Sequence, residues 1–119
     1  MAFDWREYLE LAKAIKDLKG EKFSKEASQR SAVSRAYYSA YGFALSFAER
    51  FGYRKTGKSE DHGKIIKFFR SKGLNEVSES LRKLRKRRNV CNYENRVQNI
   101  DKVVEHSIKL AEKIIQTLS

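Results

Sequence analysis

The sequence predicts an all-α protein, an antiparallel bundle of four or five helices forming a single domain over residues 1–119. Three observations lead there. The 119 residues include no proline and only six glycines, and these are the residues that break or weaken helices. Apolar side chains make up 40% of the chain and recur at three- and four-residue spacing over most of it. No internal repeat, low-complexity tract or long linker divides it, and its length suffices for one buried core.

The first helix is expected from about Asp4 to Leu18, with Trp5, Tyr8, Leu9, Ala12, Ile15 and Leu18 on one stripe. Asp4 suits its N-cap with Glu7 three residues on, and Gly20 follows its end. The second, from Lys25 to Phe51 with Ser24 as cap, is the longest. Its stripe of Val33, Ala36, Tyr37, Ala40, Phe43, Ala44, Phe47 and Phe51 is widened by Tyr38, Tyr41, Leu45 and Ala48. A helix apolar over so much of its circumference has to be surrounded by others. Residues Gly52 to Asp61 read as a loop.

The third helix starts near Asp61 or His62, where Glu60 and Asp61 suit the positive end of the helix dipole, and ends by Gly73. The fourth runs from Asn75 to Cys91 or Tyr93 and buries Val77, Leu81 and Leu84. The fifth, from Asn99 to Leu118, carries Ile100, Val103, Val104, Ile108, Ala111, Ile114, Ile115 and Leu118. Tyr38, Tyr41 and Phe43 point to several sides of the second helix. That surplus predicts a two-fold dimer covering the leftover aromatic surface.

Composition also excludes several classes. No apolar run approaches the ~20 residues that cross a bilayer, so no membrane partner is expected. The opening MAFDWREYLE lacks the basic and apolar regions of a secretory leader. One cysteine excludes an intramolecular disulfide and suits a reducing cytoplasm. The two His and the Cys lie far apart, without metal-ligand spacing, so neither metal nor cofactor is expected.

The net charge of +11 is unevenly placed. Residues 1–53 carry nine Lys/Arg against seven Asp/Glu, and residues 89–119 carry four against four. Residues 54–88 carry thirteen against four. Such a patch attracts polyanions, most simply RNA. Its densest part is Arg82-Lys83-Leu84-Arg85-Lys86-Arg87-Arg88, which leads into Asn89-Val90-Cys91-Asn92-Tyr93. A solvated basic face needs only Lys and Arg. Ending it in two amides and a phenol points to a site that binds or acts on a phosphodiester. Arg35, a charge within an otherwise apolar helix, joins Arg82, Lys83, Arg85, Lys86 and Arg87 as a candidate phosphate ligand.

Three segments together resemble the HEPN family of small helical-bundle proteins. They are Ser34-Arg35-Ala36-Tyr37-Tyr38-Ser39-Ala40-Tyr41 on the second helix, His62-Gly63 opening the third, and Arg88-Asn89-Val90-Cys91-Asn92-Tyr93 ending the fourth. Their order and helix placement fit the family, and they span Ser34 to Tyr93, half of the chain. The resemblance implies a dimer with its polar motif in a cleft between protomers. It implies a metal-independent endoribonuclease, the toxin half of a pair with a nucleotidyltransferase antitoxin. Its alternative is a catalytically inactive module that binds nucleotide or RNA, or docks that partner. Arg88 matches the family's catalytic Arg, Asn89 the polar residue that often follows it, and Tyr93 the family tyrosine, which some antitoxins nucleotidylate; these three are the candidate catalytic residues.

The chain departs from this pattern in lacking a His between Arg88 and Tyr93 or soon after, and Asn92 replaces an Asp. Metal-free RNA cleavage needs one group to take the 2′-OH proton and another to protonate the leaving oxygen, work suited to His. A guanidinium stabilises charge but is a poor base, and an ordinary phenol keeps its proton to about pH 10. Whether the site is catalytic stays open at this point. Of the remaining residues, His62 and the tyrosines of the second helix are expected to pack locally or at a dimer surface. Cys91 is expected to be buried, and His106 solvated.

Overall fold

A computed structural model describes residues 2–119. Among the described residues there are five α-helices and no strands: α1 (Arg6–Ile15), α2 (Lys25–Glu49), α3 (Asp61–Ser71), α4 (Asn75–Tyr93) and α5 (Ile100–Leu118). They form one helical bundle around α2, which touches all four others, while α3 and α4 form a hairpin and α5 closes against α1 and α4. None is long and apolar enough to cross a membrane.

α2 takes the centre because it is lined with small residues. Ala32, Ala36, Ala40, Ala44 and Ala48 are fully buried, as are Val33 and Tyr37, so neighbouring backbones approach closely on several sides. Leu9, Ile65, Phe69, Leu81, Leu84 and Ile114 fill the core around them. Tyr38, Tyr41 and Phe43, expected as surplus surface, are half-buried against this same core.

Local chemistry sets the helix ends. Ser24 is extended and its Oγ accepts the Ala27 N–H at 3.1 Å, starting α2 as expected. Asp4 accepts the Arg6 N–H at 3.0 Å and pairs with the Arg6 guanidinium. α1 nevertheless stops at Ile15, where Lys16 and Asp17 pair and Leu18 N–H turns back to the Ile15 carbonyl. Leu18, expected on the buried stripe, is therefore exposed. α2 likewise ends at Glu49, leaving Phe51 59% exposed against Phe47. Gly73, at φ 78°, lets the Gly73 and Leu74 N–H groups return to the Arg70 and Phe69 carbonyls and closes α3.

Two polar devices hold the connections between helices. Asp61 is only 3% exposed, and its carboxylate accepts N–H groups from Thr56 and Gly57 and the Tyr53 hydroxyl, anchoring the 52–60 loop to the start of α3. The Thr56 N–H is the main reason its pKa lies below the usual carboxylate value. At the other end, Arg30 of α2 donates to the carbonyls of Cys91 at 3.1 Å, Glu94 at 2.6 Å and Asn95 at 3.1 Å, capping α4 with a cation.

Candidate anion site on the aromatic face of α2

α4 does not present its basic run as one patch, because consecutive residues on a helix point about 100° apart. Leu84 and Cys91 face the core. Arg85 and Arg88, three residues apart, flank that buried line on the α2–α3 side. Lys83 and Arg87 flank it on the other side, lining a groove with His106, Lys109 and Leu110 of α5. The Arg87 Nη1 is buried there without a partner. Arg82 is exposed and ion-paired with Glu79. The five expected phosphate ligands of α4 are thus divided over different faces.

The face that gathers the three sequence segments is built on α2. The Arg88 guanidinium carbon lies 5.2 Å from the Tyr37 ring centre and 5.4 Å from that of Tyr38. Arg35 lies 4.8 Å from Tyr8 and 5.7 Å from Tyr38, so Tyr38 stands between two guanidinium groups. His62, at the first turn of α3, stacks on Tyr41 at 4.3 Å and 15°, and its Nδ1 is hydrogen-bonded to the Tyr37 hydroxyl. Arg85 reaches the same cluster: its charge acts on Tyr37, Tyr41 and His62, and its Nη1 lies over Gly63.

These cations lack counter-anions. Arg35, Arg85 and Arg88 make no ion pair and no hydrogen bond within the described residues, and the Arg88 Nε is buried without a partner. Several other basic side chains do pair, among them Arg6, Arg30, Lys64 and Lys109. A guanidinium resting on phenol faces with unused N–H groups is prepared for an anion.

Burial biases the titratable groups of this region toward their neutral forms. Burial pushes the Tyr37 hydroxyl far above its ordinary value, outweighing Arg85 and Arg88. Burial, with Asp61 and Tyr38, pushes Tyr41 to about 12. Burial also raises the Cys91 thiol, against the pull of Arg30. His62 moves the other way: burial, then Arg85 and Arg88, lower its pKa below 6.5 and keep the imidazole neutral at pH 7. The cluster therefore offers positive charge and hydrogen-bond donors, with little that accepts a proton.

The residues expected to be catalytic are only partly brought together. α4 continues to Tyr93, so Arg88 and Asn89 sit inside the helix rather than capping it. Asn89 and Tyr93 line an open depression with Arg82, Arg85, Lys86 and Val90, beside the Arg88 cluster. Tyr93 is 73% exposed and stacks on no other ring. Cys91 is buried and His106 exposed, as expected.

The sequence reading placed His62 in local packing and Tyr37 and Tyr41 in core or interface. Tyr37 is core, but its hydroxyl reaches His62 and its ring lies under Arg88. The four-residue spacing of Tyr37 and Tyr41 marks one helix face. Nothing in the linear order shows that His62 lands on it. Compared with models of protein families, with curated proteins and with solved structures, the chain matches none.

Proposed function

We propose that this protein is a HEPN-like module that binds RNA through the cation–tyrosine face of α2, with Arg88 and Arg85 as principal phosphate ligands and Arg35 and Lys86 extending the track. One observation carries the reading. Arg35 and Arg88 rest on tyrosine faces with Arg85 beside them, and among the described residues none of the three is ion-paired with a carboxylate. Lone cations on a buried aromatic wall suit a phosphate chain, whose charge satisfies them and whose bases can meet the exposed ring edges. Asn89 and Tyr93, on the adjoining depression, are placed to contact the next nucleotide.

The binding form of this reading is favoured over the endoribonuclease form. Tyr37, Tyr41 and Cys91 all hold their protons more tightly than usual. His62, the one imidazole in the cluster, has its Nδ1 already engaged. The two-fold dimer, the cytoplasmic setting and a nucleotidyltransferase partner, including modification of Tyr93, belong to the same proposal.

The test is binding of labelled single-stranded RNA in EDTA, followed by anisotropy and, on the same samples, by a denaturing gel. With four phosphate ligands, log K is expected to fall against log salt with a slope of about −3. Arg88→Ala is expected to weaken binding about tenfold and reduce that slope by about 0.7. Salt-independent or absent binding refutes the proposal. Metal-free cleavage lost in Arg88→Ala restores the ribonuclease form.

A further inference from the structure

We propose that His62 is a further phosphate ligand of this site, a neutral imidazole whose Nε2–H donates to a phosphate oxygen because the Tyr37 hydroxyl holds Nδ1. This rests on the RNA-binding reading. The argument begins with Tyr37, which is 1% exposed and whose hydroxyl has His62 Nδ1 as its hydrogen-bond partner. If Tyr37 donates, both groups are satisfied and the ring proton is on Nε2. If His62 donates instead, the buried phenol proton is left without an acceptor, which costs the desolvation of that group. The first arrangement wins, and the hydrogen bond selects the tautomer.

The ring is also fixed in orientation. Tyr41 stacks on one face at 4.3 Å, and Tyr38 lies edge-on at 6.1 Å. Nε2 makes no hydrogen bond within the described residues and is not among the buried unpartnered atoms, so it opens to solvent. It does so in the field of Arg85 and Arg88, with Asp61 the charge that opposes them. A neutral N–H suits this position better than an imidazolium, which would add a like charge to the two guanidinium groups. The same lock removes Nδ1 as a proton acceptor, so His62 positions a phosphate without serving as a base.

The experiment pairs two measurements on the intact protein. Long-range nitrogen–proton NMR of labelled imidazole at pH 7.5 is expected to show His62 protonated at Nε2 and bare at Nδ1, with Tyr37→Phe losing that bias. Anisotropy with single-stranded RNA is expected to show His62→Ala weakened about tenfold, the scale of one hydrogen bond to a charged group. His62→Gln, which restores a side-chain N–H, should recover most of that loss. A proton on Nδ1 in the parent protein overturns the proposal. So does wild-type affinity in His62→Ala while Arg88→Ala still loses binding, an outcome that leaves the RNA-binding reading standing. Absence of RNA binding by the parent protein overturns both.

Discussion

Replacing Gly42 with alanine tests how α1 is seated. A Cβ built at Gly42 lies 2.0, 2.3 and 2.6 Å from Cδ2, Cε3 and Cε2 of Trp5. These atoms belong to one rigid indole, so the ring has to move as a unit. Ordinary contact begins at 3.4 Å, so the ring must retreat by about 1.4 Å. Such a gap forfeits a large part of its dispersion contacts, and overpacking of this kind costs about 1–3 kcal/mol. The retreat also strains the bond from the Ser39 Oγ to the Trp5 carbonyl, 2.7 Å long. Against this, alanine in a helix interior gains about 1 kcal/mol over glycine.

The net expectation for Gly42→Ala is a loss of about 1 kcal/mol, or a fall in Tm of about 4 °C. Urea unfolding followed by circular dichroism measures it, and the background of Trp5→Ala supplies the control. Without the indole the clash is gone, and Gly42→Ala should become stabilising by about 1 kcal/mol. The reversal of sign is the informative result, since general damage to α2 would destabilise both backgrounds. A parent-background variant as stable as the glycine protein would refute the close seating of Trp5. The site is coupled to this contact, because α1 also carries Tyr8, on which Arg35 rests.

Arg30→Ala removes three donations to the end of α4 and should cost about 2 kcal/mol in urea unfolding, with faster amide exchange at Asn92–Asn95. Asp61 has a folded pKa below its ordinary 3.8, so its stabilisation is present above that value and disappears as pH falls through the folded pKa. His62, also lowered from 6.5, adds a loss that begins as pH drops below 6.5, because the unfolded chain takes the proton first. Stability measured from pH 7.5 to 3 should therefore decline in both windows. His62→Gln should flatten the upper one and Asp61→Asn the lower.

Much of the fold is legible in the chain. The wide stripe and five alanines of α2 demand a central helix, the Ser24 hydroxyl marks its start, and Val77, Leu81 and Leu84 mark the buried line of α4. The ends were less legible. Leu18 and Phe51 continue an apolar spacing, yet each lies beyond a helix end and is exposed. Local periodicity carries no information about where neighbouring helices stop. Gly42 also reads as a mild weakness within α2, although it is the floor on which Trp5 sits.

For the site, the sequence alone determined the materials: a charge excess concentrated in residues 54–88, a basic run ending in amides and a phenol, and tyrosines spaced for one face of α2. Those follow from composition and the helical repeat. The tertiary structure decided which cations act together. It placed Arg88 on the tyrosines with Arg85 beside them, turned Lys83 and Arg87 toward α5, and occupied Arg82 with Glu79. It also brought His62 from 25 residues away to the Tyr37 hydroxyl. The reason is physical. Charge and periodicity are properties of segments, whereas burial, counter-ion pairing and the choice of a tautomer depend on atoms that meet only after helices pack.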